Sequence, residues 1–161
     1  MKKILALLTA ILMCMSLLTA CTGEKALNDT PLSEAMDKIN AEVFDGGENM
    51  RAIDTLEKLE LYYSIASADV KDFAAEVAKN SATEIDEVIL IKATDTDAAK
   101  RIAEKLEIRL QSQKDLCASY SPELLAIAEK CSVRTQDVLV SLIVTESYDE
   151  AVSLCDEILF N

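Results

Sequence analysis

The chain has 161 residues and a formal net charge of −13, with 16 basic residues, 29 acidic ones and no histidine. That length suits one domain with a single core plus a short tether and leaves no room for a second domain. The acidity argues against nucleic acid or anionic lipid as recognised partners, and the missing histidine excludes Ser-His, Cys-His and HExxH chemistry.

Lys2 and Lys3 open the chain, and an apolar run from Ile4 to Leu18 follows, interrupted only by Thr9, Cys14 and Ser16. A membrane-spanning helix needs roughly 20 apolar residues, and this run is shorter and closes on small residues, as a secretory leader does. The closing Leu18-Thr19-Ala20-Cys21 resembles the lipobox of bacterial lipoproteins. The resemblance implies cleavage between Ala20 and Cys21 and a diacylglycerol thioether on the Cys21 sulfur, with palmitate-type chains holding the protein at the outer face of the cell membrane. Two acyl chains anchor stably where one does so only marginally. The expected layout is a signal peptide over 1–20, a lipidated tether over 21–30 and one domain over 31–161. The leader carries two of the 16 basic residues and none of the acidic ones, so its loss makes the remainder more acidic still.

Thr22 to Asp29 is polar and aperiodic, as befits a tether. Thr30-Pro31 predicts a helix start, with Leu32, Met36, Ile39 and Val43 at helical spacing and Asp45-Gly46-Gly47 as its end. The chain's only other glycine is Gly23, too few for any phosphate-cradling loop. Asp54 predicts the cap of a second helix carrying Leu56, Leu59 and Tyr63 and ending near Ser64. The next segment is ambiguous: Val70, Phe73, Ala74 and Val77 fit helical period, and Phe73, Ala75 and Val77 fit a strand. Val88-Ile89-Leu90-Ile91 is a strand suited to a sheet's interior. Asp95-Thr96-Asp97 then caps the longest helix, to about Ser119, with Ala99, Ile102, Ala103, Leu106, Leu110, Gln113, Cys117 and Tyr120 along one stripe. Ser121-Pro122-Glu123 restarts a short helix, Cys131 to Arg134 offers a short strand, Val138 to Val144 a longer one, and Glu146 to Phe160 a final helix.

Cys117, Cys131 and Cys155 remain once Cys14 leaves with the leader and Cys21 is lipidated. Export permits a disulfide, but the spacings match neither a framework nor metal-binding pairs, and Cys117 and Cys155 fall on apolar helix faces. The Asp86-to-Leu90 and Gln136-to-Val140 strands, each followed by a cap and a helix, echo one another. Strand-cap-helix units look alike by physics alone, and that is the preferred account.

Tyr63-Ser64-Ile65, Asp69-Val70-Lys71-Asp72-Phe73-Ala74, Asp86-Glu87-Val88 and the spacing Arg109-x3-Gln113-x6-Tyr120-x-Pro122 resemble the small lipoproteins of Gram-positive gut-type bacteria that carry one domain of unknown function. The resemblance runs from about Leu56 to Leu159. The family usually has glycine where Ser64 stands, and this chain has none before the Val138 strand. The family pattern implies that Phe73 to Asn80 pairs with the Val88 strand as a hairpin, and it implies no activity.

Carboxylate neighbours such as Asp45 with Glu48, Asp86 with Glu87 or Asp95 with Asp97 could serve a hydrolase, but so acidic a chain produces such pairs by chance. Asp95 and Asp97 are better read as helix-terminus residues facing the dipole. Arg109, Gln113 and Tyr120 form the candidate binding set: a guanidinium and an amide four residues apart could grip a carboxylate or a peptide carbonyl. The plainer alternative is preferred, in which Arg109 pairs with an acid near Glu107 while Gln113 and Tyr120 satisfy backbone groups.

The sequence thus predicts an α+β domain. Its antiparallel sheet has about four strands, with helices on one face in ββα-ββα order after two leading helices. The expected function is a membrane-anchored ligand-binding or interaction module of the cell envelope, not an enzyme, with no cofactor and no metal. Its partners would be the membrane, through the N-terminal lipid, and an unidentified protein or small molecule met on the open sheet face. The alternatives are an accessory subunit of an envelope complex and, less favoured, a carboxylate hydrolase.

Overall fold

A computed structural model describes residues 26–160. The expected leader, the Ala20/Cys21 cleavage site, the lipidation of Cys21 and half of the expected tether lie outside the described residues. In chain order the elements are α1 (Leu32–Val43), β1 (Met50–Ala52), α2 (Leu56–Tyr63), a 3-10 turn (Ser67–Asp69), β2 (Val70–Ala78), β3 (Glu87–Ala93), α3 (Thr96–Tyr120), α4 (Pro122–Lys130), β4 (Val133–Gln136), β5 (Leu139–Val144) and α5 (Tyr148–Leu159). The strands form one sheet in the order β1-β2-β3-β5-β4, with every pairing antiparallel. The fold class is α+β. The fifth strand is β1, three residues between the leading helices and too short to show a period in sequence. The ambiguous segment is strand β2, paired with β3 as a hairpin.

Helices cover both faces of the sheet, which corrects the expectation of an open one. Side chains alternate along a strand, so Ile89 and Ile91 of β3 and Val140 and Leu142 of β5 face one way, into a core closed by α2, α3 and α4. Val88 and Leu90, with Leu139 and Ile143, face the other way and meet Leu32, Ala35, Met36 and Ile39 of α1 and Ala151, Leu154, Cys155 and Leu159 of α5. Unbroken apolar runs in β3 and β5 are what burial on both faces requires. The β2-β3 and β4-β5 hairpins are thus followed by helices on opposite faces. A two-fold axis relating antiparallel neighbours would put both on one face, so the internal echo is not a repeat in space.

Local signals fix most of the helix ends. Asp95 accepts from the Ala98 N–H at 2.8 Å, and Ser121 accepts from Leu124 with Pro122 in the first turn. Two caps shift by one residue: Pro31 takes the N-cap position expected of Thr30, and Thr55 takes that expected of Asp54. Asp54 instead binds Lys58 at 2.5 Å. Ser64 closes α2 at φ 56° and Asp137 turns the β4-β5 hairpin at φ 53°. These left-handed positions are where glycine is favoured over other residues.

The last residues of the segment expected as a tether are packed on the fold. Leu27 packs into the α1/α5 core, the Asn28 N–H donates to the Leu159 carbonyl at 2.9 Å, and its side-chain amide donates to Ile158 at 2.6 Å. Two carbonyls at the end of α5 thus find donors, and residues 27–30 belong to the domain. Among the described residues no helix is long and apolar enough to cross a membrane.

Candidate functional site

Glu87 opens β3 on the same side as Ile89 and Ile91, so strand alternation drives a carboxylate into the α3 core, where it is 1% exposed. Burying it unpaired would be costly, and four side-chain donor atoms on two helices prevent that. The Tyr63 hydroxyl at the end of α2 donates at 2.6 Å. From α3, Arg109 donates through Nε at 3.1 and 3.2 Å and through Nη2 at 3.0 Å, and Gln113 Nε2 donates at 2.5 Å. Arg109 and Gln113 are four apart and therefore share a helix side. The Arg109 guanidinium also lies over the Tyr63 ring, 5.9 Å from its centroid.

Each titration shift has a physical cause. Burial pushes the Tyr63 hydroxyl well above its ordinary value and the neighbouring Glu87 charge adds to it, so Tyr63 stays a donor. Burial works against the Arg109 guanidinium, but the attraction of Glu87 outweighs it and the net shift is upward. Both Glu87 oxygens are engaged by donors. The carboxylate is thus the fixed hub on which the three side chains converge.

A pocket of about 620 Å³ opens beside this hub, bounded by α2, the β2-β3 turn, α3 and the start of α4. Its shape follows from a mismatch of lengths. The 25-residue α3 is about 37 Å long, and the seven-residue β3 beneath it is about 23 Å. Because α3 runs back along β3, its last turns overhang the sheet beyond Glu87. Leu116 and Tyr120 are therefore 59% and 81% exposed. They line the pocket with Tyr62 from α2, while Ile53, Val77, Ile85 and Leu124 supply its aliphatic wall. Arg51 also lines it and makes no ion pair among the described residues.

The three residues singled out from sequence therefore meet at one pocket by different routes. Arg109 pairs with Glu87, 22 residues away, and not with an acid near Glu107. Gln113 is 8% exposed and serves a side chain, not the backbone. Tyr120, expected on the buried stripe, is solvent-facing on the overhang. Sequence reasoning missed Glu87 as the partner and Tyr63 as the third donor. A signal existed: alternation from Ile91 and Ile89 leads straight to an acid on the face that α3 covers.

Other sites are ordinary. Asp95 caps α3 and Asp97 pairs with Lys100 at 2.8 Å, as dipole-facing residues should. Cys117, Cys131 and Cys155 are all free and buried. Among the described residues no cluster of three or more acidic or cysteine side chains could hold a metal.

A family model described as a domain of unknown function (DUF4358) matches residues 43–145. The match begins ahead of Leu56 and stops before α5, and it contains all five strands, Tyr63, Glu87, Arg109, Gln113 and Tyr120. No curated protein sequence matches the chain, and no solved structure does.

Proposed function

The chain belongs to the family of domains of unknown function DUF4358, and on that footing we propose that it is a lipoprotein of a Gram-positive envelope whose domain binds a ligand in the pocket beside Glu87. One observation carries the binding reading. A pocket of about 620 Å³ ends on a buried, polar, oriented cluster, the combination of apolar walls and few placed polar groups that small-molecule sites share. We read the protein as a binder and not an enzyme, since the hub carboxylate is held by its own donors.

The anchoring reading rests on the leader and on Cys21. From Cys21 to the packed Leu27 the chain reaches at most about 20 Å when fully extended, so a lipid on Cys21 would hold the domain close to the bilayer. The bound Asn28 sits at the end of α5, near Leu139. Leu139 pairs with Lys92 at the far end of β3 from Glu87. The point where the chain enters the domain and the pocket therefore lie at opposite ends of β3, about 17 Å apart along the strand, and on opposite faces of the sheet. This arrangement supports a pocket turned away from the lipid.

Mass spectrometry of the mature N-terminus tests the anchor. The expected N-terminal peptide begins at Cys21 with diacylglycerol on sulfur, and Cys21→Ser releases the protein from the membrane. An unmodified thiol would sink the reading. The binding reading is tested by melting the protein against small molecules extracted from the envelope, with a rise in Tm expected and then lost on filling the pocket with Leu116→Trp. A second reading, an accessory subunit of an envelope complex, draws on Leu61 and Ile108, which are 75% and 62% exposed and stand outside the pocket lining. Co-purification of one stoichiometric envelope protein, lost on Leu61→Ser with Ile108→Ser, would favour it.

A further inference from the structure

We infer that the pocket takes a small monocarboxylate, its charged end gripped by Arg51 at the β1 edge and its body laid across Val77 toward the Glu87 hub. The inference rests on the reading that the pocket holds a ligand, and it names the charged group of that ligand.

The register of the sheet puts Arg51 beside the hub. Arg51 pairs with Val77 across β1 and β2, and Val77 pairs with Glu87 across β2 and β3. Residues directly opposite one another in antiparallel strands share a face, so the three stand in one row on the side that α3 covers. With strands about 4.8 Å apart, the Arg51 and Glu87 backbones are about 10 Å from each other, and Val77 lies between them. All three line the pocket. The Arg51 charge is felt at the hub: burial and the Glu87 charge push the Tyr63 hydroxyl up, and Arg109 and Arg51 both act on it in the opposite direction.

Two guanidinium groups thus stand around one carboxylate. Arg109 and Gln113, whose spacing suggested a grip on a carboxylate, already hold one in Glu87. The Arg51 side chain makes no hydrogen bond or ion pair among the described residues, so its donors are open to a ligand. A guanidinium offers a planar fork of N–H groups that matches the two oxygens of a carboxylate. A phosphate would fit the fork as well, but Glu84 and Asp86 on the lining repel its second charge. Asp86 lies toward the other side of β3, where burial pushes the Cys131 thiol up and Asp86 adds to the rise, beside the Thr145 carbonyl that follows β5. A single negative charge at Arg51 is therefore what the lining accommodates. The body of the ligand is less closely chosen. Ile53, Val77 and Ile85 would take an apolar body at a gain, and the hydroxyls of Ser81, Ser112 and Tyr120 would serve a polar one.

The test uses the full chain in lipid nanodiscs and titrates phenylpropionate, phenylpropionamide and phenylpropylamine by calorimetry, three charges on one body. N-acetylleucine with its amide, and glucuronate with glucose, repeat the comparison of acid with neutral partner on an amino-acid body and a sugar body. Phenyl phosphate completes the set. Saturable binding of at least one carboxylate is expected, tighter than its neutral partner by about tenfold or more. Arg51→Gln should abolish that advantage at unchanged Tm, because no described side chain bonds to Arg51. Carboxylates that bind no better than their neutral partners overturn the inference, and so does tighter binding of the amine or the phosphate; either leaves the pocket a binding site of another class. An advantage that survives Arg51→Gln overturns it too. If no probe binds while an envelope extract raises the Tm, the inference falls alone, and if the extract also fails, the binding reading falls with it.

Discussion

On one face of the sheet Val88, Leu90, Leu139 and Ile143 pack against the apolar stripes of α1 and α5. On the other face the same strands present Ile89, Ile91, Val140 and Leu142 and then, at the start of β3, Glu87. The first face is closed by short amphipathic helices matched to the strands. The second is closed by a helix longer than the sheet, and the pocket lies where the excess overhangs. A carboxylate held by Tyr63, Arg109 and Gln113 occupies a position that a valine would fill with less risk. A buried charge breaks the local rule there, and such exceptions concentrate at functional sites.

Substitutions can break this contrast, and the largest effect belongs to the apolar face. Leu90→Ala removes a fully buried side chain between β3 and the α1/α5 layer, and urea denaturation should show a loss of about 4 kcal/mol with pocket binding intact below the transition. On the polar face Arg109→Met should cost about 3 kcal/mol, because it strands Glu87 as a buried charge. Adding Glu87→Gln should restore more than half of that loss. No recovery in the double variant would mean that Arg109 matters for packing and not for charge.

A third probe reads the α1/α5 face by pH. Burial pushes the Cys155 thiol from the ordinary 9.0 up to about 12, with Asp156 adding to the rise. The neutral thiol is favoured in the folded state, so its contribution is present below pH 9 and is lost as pH climbs toward 12. At pH 10 the loss is on the order of 1 kcal/mol, and Cys155→Ala should flatten the alkaline limb of a stability profile by that amount. The smallest effect is a gain. Ser64→Gly should stabilise by about 0.5–1 kcal/mol in thermal melts, and Asp137→Gly by less, since aspartate tolerates the left-handed region better than serine.

Much of this was legible from sequence because it depends on neighbours in the chain. Asp95, Ser121 and Pro122 mark helix starts through local hydrogen bonds, and the long α3 stripe from Ala99 to Cys117 follows from period alone. β1 is too short to show a period. The second helical layer was signalled by the unalternating Val88-Ile89-Leu90-Ile91 run, which fits a strand with no solvent face, yet an open face was expected. The β2 segment satisfied two periods at once, and only its pairing with β3 decides between them. At the site, Arg109 and Gln113 stood out by spacing, but their common partner comes from a strand, and register is a tertiary quantity. Tyr120 obeyed the stripe and still faces water, because a helical wheel carries no information on where the sheet below it ends.

Glu87 also polices strand alignment. If β3 slid by one residue against its neighbours, every side chain would change sides, and this carboxylate would leave Tyr63, Arg109 and Gln113 for the largely apolar layer under α1 and α5. The apolar residues alone would discriminate poorly, since Val88, Ile89, Leu90 and Ile91 are nearly interchangeable between the two layers. A single acid with three waiting partners makes the misaligned sheet far costlier than the aligned one, and so gives a chain of repetitive hydrophobes one arrangement to settle into.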